Sequence, residues 1–124
     1  MSPRETVMRI ERYGVYWVNL DPVVGEEIAK TRPAAVVSDD AMNEHLGTVV
    51  VCPITSRLHP RWPSRIQATI GGRRAEIAVD QIRTVARERL GKRMGKLSEV
   101  TAAGVRHLIT LMYGVLSVST RKDA

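Results

Sequence analysis

The chain has 124 residues and a mass of 13.8 kDa, the size of one domain with one core. Hydrophobic residues make up 44% and charged residues 26%, which argues against global disorder, and the single cysteine, Cys52, excludes an intramolecular disulfide framework and a Cys-rich zinc site. The net charge is +6, and fifteen of the nineteen cations are Arg, the planar bidentate phosphate binder, which suits RNA or DNA.

Residues 1–12 are charged without a period and read as a loose N-terminal arm. Val15 to Leu20 is β-branched and aromatic, hence a strand. Asp21-Pro22 ends it. Trp17 and Tyr16 alternate, so one of them faces the core. Gly25 to Thr31 is a polar loop, and Pro33 to Ser38 a second strand with proline at its edge. Asp39 to His45 holds a helical turn capped by Asp39 or Asp40. Thr48 to Ile54 is a continuous apolar run, a strand buried on both faces. Arg57 to Pro63 is a loop with two prolines. Ser64 to Ile70 and Ala75 to Val79 alternate around Gly71-Gly72, a hairpin signal. Asp80 to Ala86 reads as a tight turn and a short strand, and Arg87 to Leu97 as a short strand or loop. Ser98 caps a final helix with Val105, Leu108, Ile109, Met112 and Leu116 at helical spacing, weakened by Gly104 and Gly114. Short strands and one terminal helix predict a mostly-β (α+β) fold, a small barrel that curls to remove its edges.

The charge is lopsided. Residues 1–62 sum to −1 and residues 63–124 to +7. Within 83–96, Arg83, Arg87, Arg89, Lys92, Arg93 and Lys96 face only Glu88. Such a patch fits nucleic acid, an acidic protein partner, or merely a solvated surface. No stretch approaches the ~20 apolar residues of a membrane span, and the N-terminus has no signal-peptide centre, so a cytoplasmic location is expected.

No generic catalytic motif is present: no phosphate loop, no zinc pattern, no nucleophile elbow. The histidines are scattered. His107, in the helix, reads as structural. His45 and His59, in loops, read as surface residues. Cys52 reads as core.

One pattern stands out. Leu20-Asp21-Pro22, Gly25 and Glu27 lead into Lys30-Thr31-Arg32-Pro33-Ala34. Pro53-Ile54-Thr55-Ser56 ends the third strand, and Asp80-Gln81-Ile82-Arg83-Thr84 follows the hairpin. In this order the three segments resemble the MazF/PemK family of toxin ribonucleases from type II toxin–antitoxin modules. The resemblance spans a domain of residues 13–118, leaving the arm 1–12 and a tail 119–124.

The resemblance implies an SH3-like barrel with a C-terminal helix, acting as a homodimer. It implies metal-independent, cofactor-free, sequence-selective cleavage of single-stranded mRNA without the ribosome. By the same likeness Arg32 and Thr55 match the family's catalytic arginine and threonine. Glu27 matches the acidic residue after the loop glycine, and Asp80 and Gln81 an Asp-Gln pair. Lys30, Thr31, Ser56 and Arg83 accompany them as RNA-binding candidates. Arg61 and Trp62 lie on the loop 57–63, where Trp62 could stack a base or pack the loop onto the barrel.

These residue types fit the chemistry. Attack by the 2′-hydroxyl gives a 2′,3′-cyclic phosphate and a 5′-hydroxyl, with charge building on the nonbridging oxygens. A fixed guanidinium meets that charge, and Pro33 restricts the backbone of Arg32. A Thr hydroxyl can donate to phosphate. The bland readings are a surface cation for Arg32, a turn-forming hydroxyl for Thr55, a loop carboxylate for Glu27 and a turn cap for Asp80. The general base stays open between Asp80, Glu27 and water. Some family members carry a catalytic arginine two residues before the Asp; here Ala78 stands there, which favours Arg32 with Thr55 and leaves Asp80 to RNA binding. The family's antitoxin, with a disordered acidic C-terminal tail, would dock on the +7 half and compete with RNA. Two alternatives differ in class. A CcdB-like gyrase inhibitor would carry a Trp-Gly-Ile ending, whereas this chain ends Arg121-Lys122-Asp123-Ala124. A nonenzymatic nucleic-acid-binding barrel would not need both Arg32 and Thr55.

Overall fold

The strands follow the sequence pattern closely: β1 (Gly14–Asn19), β2 (Thr31–Val36), β3 (Thr48–Thr55), β4 (Arg65–Ile70), β5 (Arg73–Ala78), β6 (Arg83–Ala86) and β7 (Leu90–Lys96). The helices are α1 (Asp40–His45) and α2 (Glu99–Ile109), with 3₁₀ turns at Val79–Gln81 and Arg87–Arg89 and a π turn at Thr110–Gly114. The computed structural model describes residues 9–114. All strands join one curled sheet in the order β4-β5-β3-β2-β1-β7, with β6 paired to β3 beside β5. β4 and β7 end this path and no ladder joins them among the described residues. The sheet is therefore a half-barrel. The edges are not removed by hydrogen-bonded closure.

Alternation sends the two faces of the sheet to two cores. Ala35, Cys52, Ile54 and Ile77 pack with Ala102 and Val105 under α2. Ala34, Val36, Val49 and Val51 pack inside the curl with Tyr16 and Val18. Each Val or Ile among them contributes ~1.5–3 kcal/mol on full burial, and each Ala less. Tyr16 is the core partner and Trp17 the outer one, at 0% and 40% exposure. The Tyr16 hydroxyl accepts from the Glu11 N–H at 3.0 Å and donates to the Arg9 carbonyl at 3.2 Å, which satisfies its polar end. Gly14 gives this ring its room: a Cβ there would lie 2.8 Å from Tyr16 Cε1.

Several local readings hold. Asp39 caps α1 by accepting from the Ala41 N–H, and Ser98 caps α2 by accepting from the Thr101 N–H. Gly71 and Gly72 have φ of 59° and 80°, the left-handed pair of a two-residue hairpin. Other readings change. β2 begins at Thr31, which draws Arg32 into the ladder opposite Val18. The basic segment forms a seven-residue strand, β7, because β1 supplies its hydrogen-bond partner despite two glycines. Residues 9–12 are not loose: Ile10 is buried at 6% and the Arg12 N–H donates to Asp40 at 2.7 Å. His107 lies within α2, as read, and is exposed on it. Met112 is also exposed, and Leu116 lies outside the described residues.

Candidate functional site

Strand register brings the site together. The pairs Ala34–Pro53, Ala35–Cys52 and Val36–Val51 define β2 against β3. Carried two residues further, that register sets Arg32 opposite Thr55, on the face of Ala34 and Pro53. Thr55 in turn pairs with Glu76 on β5, and Glu76 with Gln67 on β4. Thr55, Glu76 and Gln67 therefore form one row across β3, β5 and β4, and Arg32 stands two residues past the last β2–β3 pair, in line with that row on the extended register.

Arg32 is half-buried. Its Nε donates to the Ala29 carbonyl at 2.8 Å, and its Nη groups have no hydrogen-bond partner among the described residues. The guanidinium is thus oriented from one side with its donor fork open, the state that suits an oxyanion. Thr55 is 8% exposed, and its Oγ1 accepts from the Arg57 N–H at 3.1 Å. The turn-forming role is present, yet the hydroxyl hydrogen remains free to donate.

Glu76 was not marked in the sequence, and it is the most buried charge in this row, at 0% exposure. Its Oε1 accepts from Gln67 Nε2 at 2.7 Å and from the His59 backbone N–H. Its Oε2 accepts from Arg65 Nη1 at 2.6 Å and lies 3.1 Å from His59 Nδ1. Burial pushes the carboxyl up, but the His59 N–H, the Gln67 amide, the His59 ring and Arg65 outweigh it and hold the pKa at about 2. Arg65 also donates through Nε to Asp80 Oδ1 at 2.8 Å. Against the cost of Asp80's own partial burial, Arg65 and the Ser64 hydroxyl lower its pKa. Asp80 is thereby committed to Arg65 and is a weak proton acceptor.

His59 is not a free surface residue. Its ring stacks on Trp62 with centroids 3.8 Å apart and planes 20° from parallel, and the Arg65 guanidinium lies 4.6 Å from the Trp62 ring centroid. Trp62 packs within the loop and stays 48% exposed. Arg61 and Ser56 are exposed on the same β3–β4 connection.

The β1–β2 loop forms the other side. Gln81 Oε1 accepts from the Ile28 N–H at 2.7 Å and pins this loop to the turn after β5. Glu27 Oε1 accepts from the Val24 N–H at 2.5 Å and closes a turn of its own loop. Lys30, at φ 69°, donates its backbone N–H to Asp21 at 3.0 Å. Thr31 is exposed at the start of β2. Arg83 Nη1 donates to the Leu20 carbonyl at 3.1 Å, and Arg89 Nη1 to the carbonyls of Asn19 and Asp21. Part of the basic segment thus clamps the end of β1, and charge-assisted bonds of this kind contribute ~1.5–3 kcal/mol each. His45 is exposed at the end of α1, away from these contacts.

The hairpin itself held the signal for Glu76. A two-residue Gly71-Gly72 turn fixes Gln67 opposite Glu76 and Arg65 two pairs along, on the same face. Cys52 is core, as its residue type suggests, and burial followed by the Asp80 charge pushes its thiol up to about 12.

A family model for PemK-like, MazF-like toxins of type II toxin–antitoxin systems matches residues 11–113. The endoribonuclease MazF9 of Mycobacterium tuberculosis is 34% identical over 110 residues, covering 81% of this chain and 93% of that one. The crystal structure of MazF (Form-I) from Deinococcus radiodurans superposes with a TM-score of 0.77 at 26% identity, over 87% of this chain and 99% of that one. A MazE-MazF structure (Form-II) from the same organism gives 0.73 at 25% identity, over 89% of this chain and 100% of that one.

Proposed function

This chain belongs to the PemK-like, MazF-like toxins of type II toxin–antitoxin systems, and from that membership we propose that it is an endoribonuclease cleaving single-stranded mRNA sequence-selectively, with neither metal nor ribosome. The named relative MazF9 supports the endoribonuclease activity. The observation that carries the site assignment is the β2–β3 register, which, extended two residues past Ala34–Pro53, sets Arg32 in line with Thr55.

In this reading the scissile phosphate lies over the row. The 2′-hydroxyl attacks phosphorus, the bond to the 5′-oxygen breaks, and a 2′,3′-cyclic phosphate and a 5′-hydroxyl result. Arg32 and Thr55 are the catalytic residues. The open Nη fork of Arg32 takes the charge that grows on the nonbridging oxygens, and the Thr55 hydroxyl donates to the same group and aligns it. Bases unstack along the two loops, where single-stranded RNA is usually read. Glu27, Lys30, Thr31 and Gln81 line one rim. Ser56, Arg61 and Trp62 line the other, with Asp80 and Arg83 at the base. Trp62 retains enough exposure to stack a base while it packs on His59.

The chain acts as a homodimer over the domain 13–118 and is neutralised by a cognate antitoxin, as the MazE-MazF structure of the Deinococcus relative suggests. The acidic tail of that antitoxin would occupy the cationic groove and exclude RNA; antitoxin peptide at saturation that left cleavage unchanged would contradict this. No helix among the described residues is long and apolar enough to cross a membrane. A toxin that cleaves mRNA acts where mRNA is, and on that ground we propose a cytoplasmic location.

The decisive experiment incubates the purified chain with a long single-stranded RNA in EDTA, beside Arg32→Ala. Cleavage at a few sites, with 5′-hydroxyl ends and none in the variant, is the expected result. Intact RNA that still binds would favour the binding module, and gyrase inhibition would be assayed next.

A further inference from the structure

Neither Arg32 nor Thr55 is suited to accept the 2′-hydroxyl proton: a guanidinium stays charged, and a hydroxyl is a poor base. Asp80 is tied to Arg65. We propose that His59 is the general base of the cleavage and that Glu76 is the positioning residue that aims it; the proposal rests on the ribonuclease reading above.

The geometry carries the assignment. Glu76 stands in the row directly beside Thr55, and its Oε2 lies 3.1 Å from His59 Nδ1. An ionised carboxylate only accepts, so the ring must carry its hydrogen on Nδ1. In the uncharged form this tautomer puts the lone pair on Nε2, which has no hydrogen-bond partner among the described residues. Arg65 Nη1 also comes within 3.4 Å of Nδ1, but a donor facing an N–H forms no hydrogen bond; its proton goes to Glu76 at 2.6 Å. The ring is held at three points: the Glu76 contact, the Trp62 stack, and its own backbone N–H on Glu76 Oε1. With its side chain 26% exposed, it can meet a substrate. A carboxylate that orients an imidazole and stabilises its cation is a recurring arrangement for bases in nucleophile activation.

The charged groups around the ring are few. Glu76 faces it from β5 and Arg65 from β4, while Asp80 acts from the turn after β5 through Arg65. Arg57 and Arg61 lie on its own loop. In the step, Nε2 takes the 2′-hydroxyl proton as the oxygen–phosphorus bond forms. The electron pair of the broken bond leaves with the 5′-oxygen, which takes a proton from water. The imidazolium then returns its proton to solvent, and the charge balance closes.

The test compares the full chain with H59A and H59N on a long single-stranded RNA in EDTA, from about pH 5 to about pH 9, the span that brackets an imidazole. Asn keeps an N–H near the place of Nδ1 and so keeps the hold on Glu76, but it offers no base at the place of Nε2. Both variants should lose about 10²–10⁴-fold in kcat with KM little changed. The acid limb of the wild-type kcat profile should vanish in both, and free imidazole should partly restore H59A. If H59N cleaves within about threefold of wild type and keeps that limb, far short of the loss expected for a missing base, His59 is structural and the proposal falls. If the wild-type chain itself leaves RNA intact, the ribonuclease reading fails and takes this proposal with it.

Discussion

Replacing Glu76 by Gln tests how much of the fold depends on one buried carboxylate. Four donors converge on its two oxygens: the His59 N–H, Gln67 Nε2, Arg65 Nη1 and His59 Nδ1. An amide turns one oxygen into an NH₂ group, so two of these donors then face a donor. Breaking a buried ion pair from one side costs ~3–5 kcal/mol, much of a domain's total of ~5–15. The pH dependence follows from the same contacts. The folded carboxyl lies at about 2 against an ordinary 4.5. A depressed folded pKa stabilises above the unfolded value, and the stabilisation is lost as pH falls toward the folded one. The full shift corresponds to about 3 kcal/mol, of which about 2 are gone by pH 3. Urea unfolding followed by Trp fluorescence should therefore show E76Q about 2–3 M less resistant than wild type at about pH 5.5, for a slope of about 1.5 kcal/mol per M. The gap should shrink by about 2 kcal/mol at about pH 3. A gap below about 1 kcal/mol at the higher pH, or one unchanged at the lower, would refute the reasoning.

Further expectations use other observations. Arg32→Lys should lose cleavage by about 10²–10³-fold while stability falls by no more than the ~1.5–3 kcal/mol of the Nε bond to the Ala29 carbonyl, because a point charge cannot replace the open fork; RNA cleavage and a urea curve read the two effects. Gln81→Ala should release the β1–β2 loop from its bond to the Ile28 N–H, raising KM for RNA while the midpoint falls by only the ~1 kcal/mol of one hydrogen bond. Cys52, buried and with its thiol near about 12, should resist iodoacetamide at pH 8 in the native chain and react fully in urea; native labelling at the rate of a free thiol would contradict its packing. Gly72→Ala should cost ~1 kcal/mol through its positive φ without touching activity, measured by the same two assays.

Much of the fold was legible because its signals are local. Val15 to Leu20 shows β-branched strand chemistry, Gly71-Gly72 a turn, and Ser98 a cap. Arg32 and Thr55 were legible only as members of an ordered pattern, and their juxtaposition needed the β2–β3 register. Glu76 escaped because alternation alone reads a strand Glu between Ala75 and Ile77 as facing water. The loop that covers that face, with His59 and Trp62, is irregular, and no period in residues 56–64 announces where it folds back. The arm was misread at Ile10 for a similar reason: one apolar residue among charges carries no period. Three of the basic segment's four arginines, Arg83, Arg87 and Arg89, turn to carbonyls of other segments, which charge counting could not distinguish from a solvated patch.

The placement of these residues on separate strands also bears on when this toxin becomes competent during its own synthesis. Arg32 and Glu76 lie 44 residues apart, and each member of the row arrives on a different strand. A nascent chain that has emerged only through β3 holds Arg32 and Thr55 but lacks the β4–β5 hairpin that seats Glu76, Gln67 and the His59 loop. Such long-range pairing forms late because loop closure must precede it. A chain extended only through β3 therefore holds no complete row, which leaves an interval for the neutralising partner to be present before the first competent molecule forms.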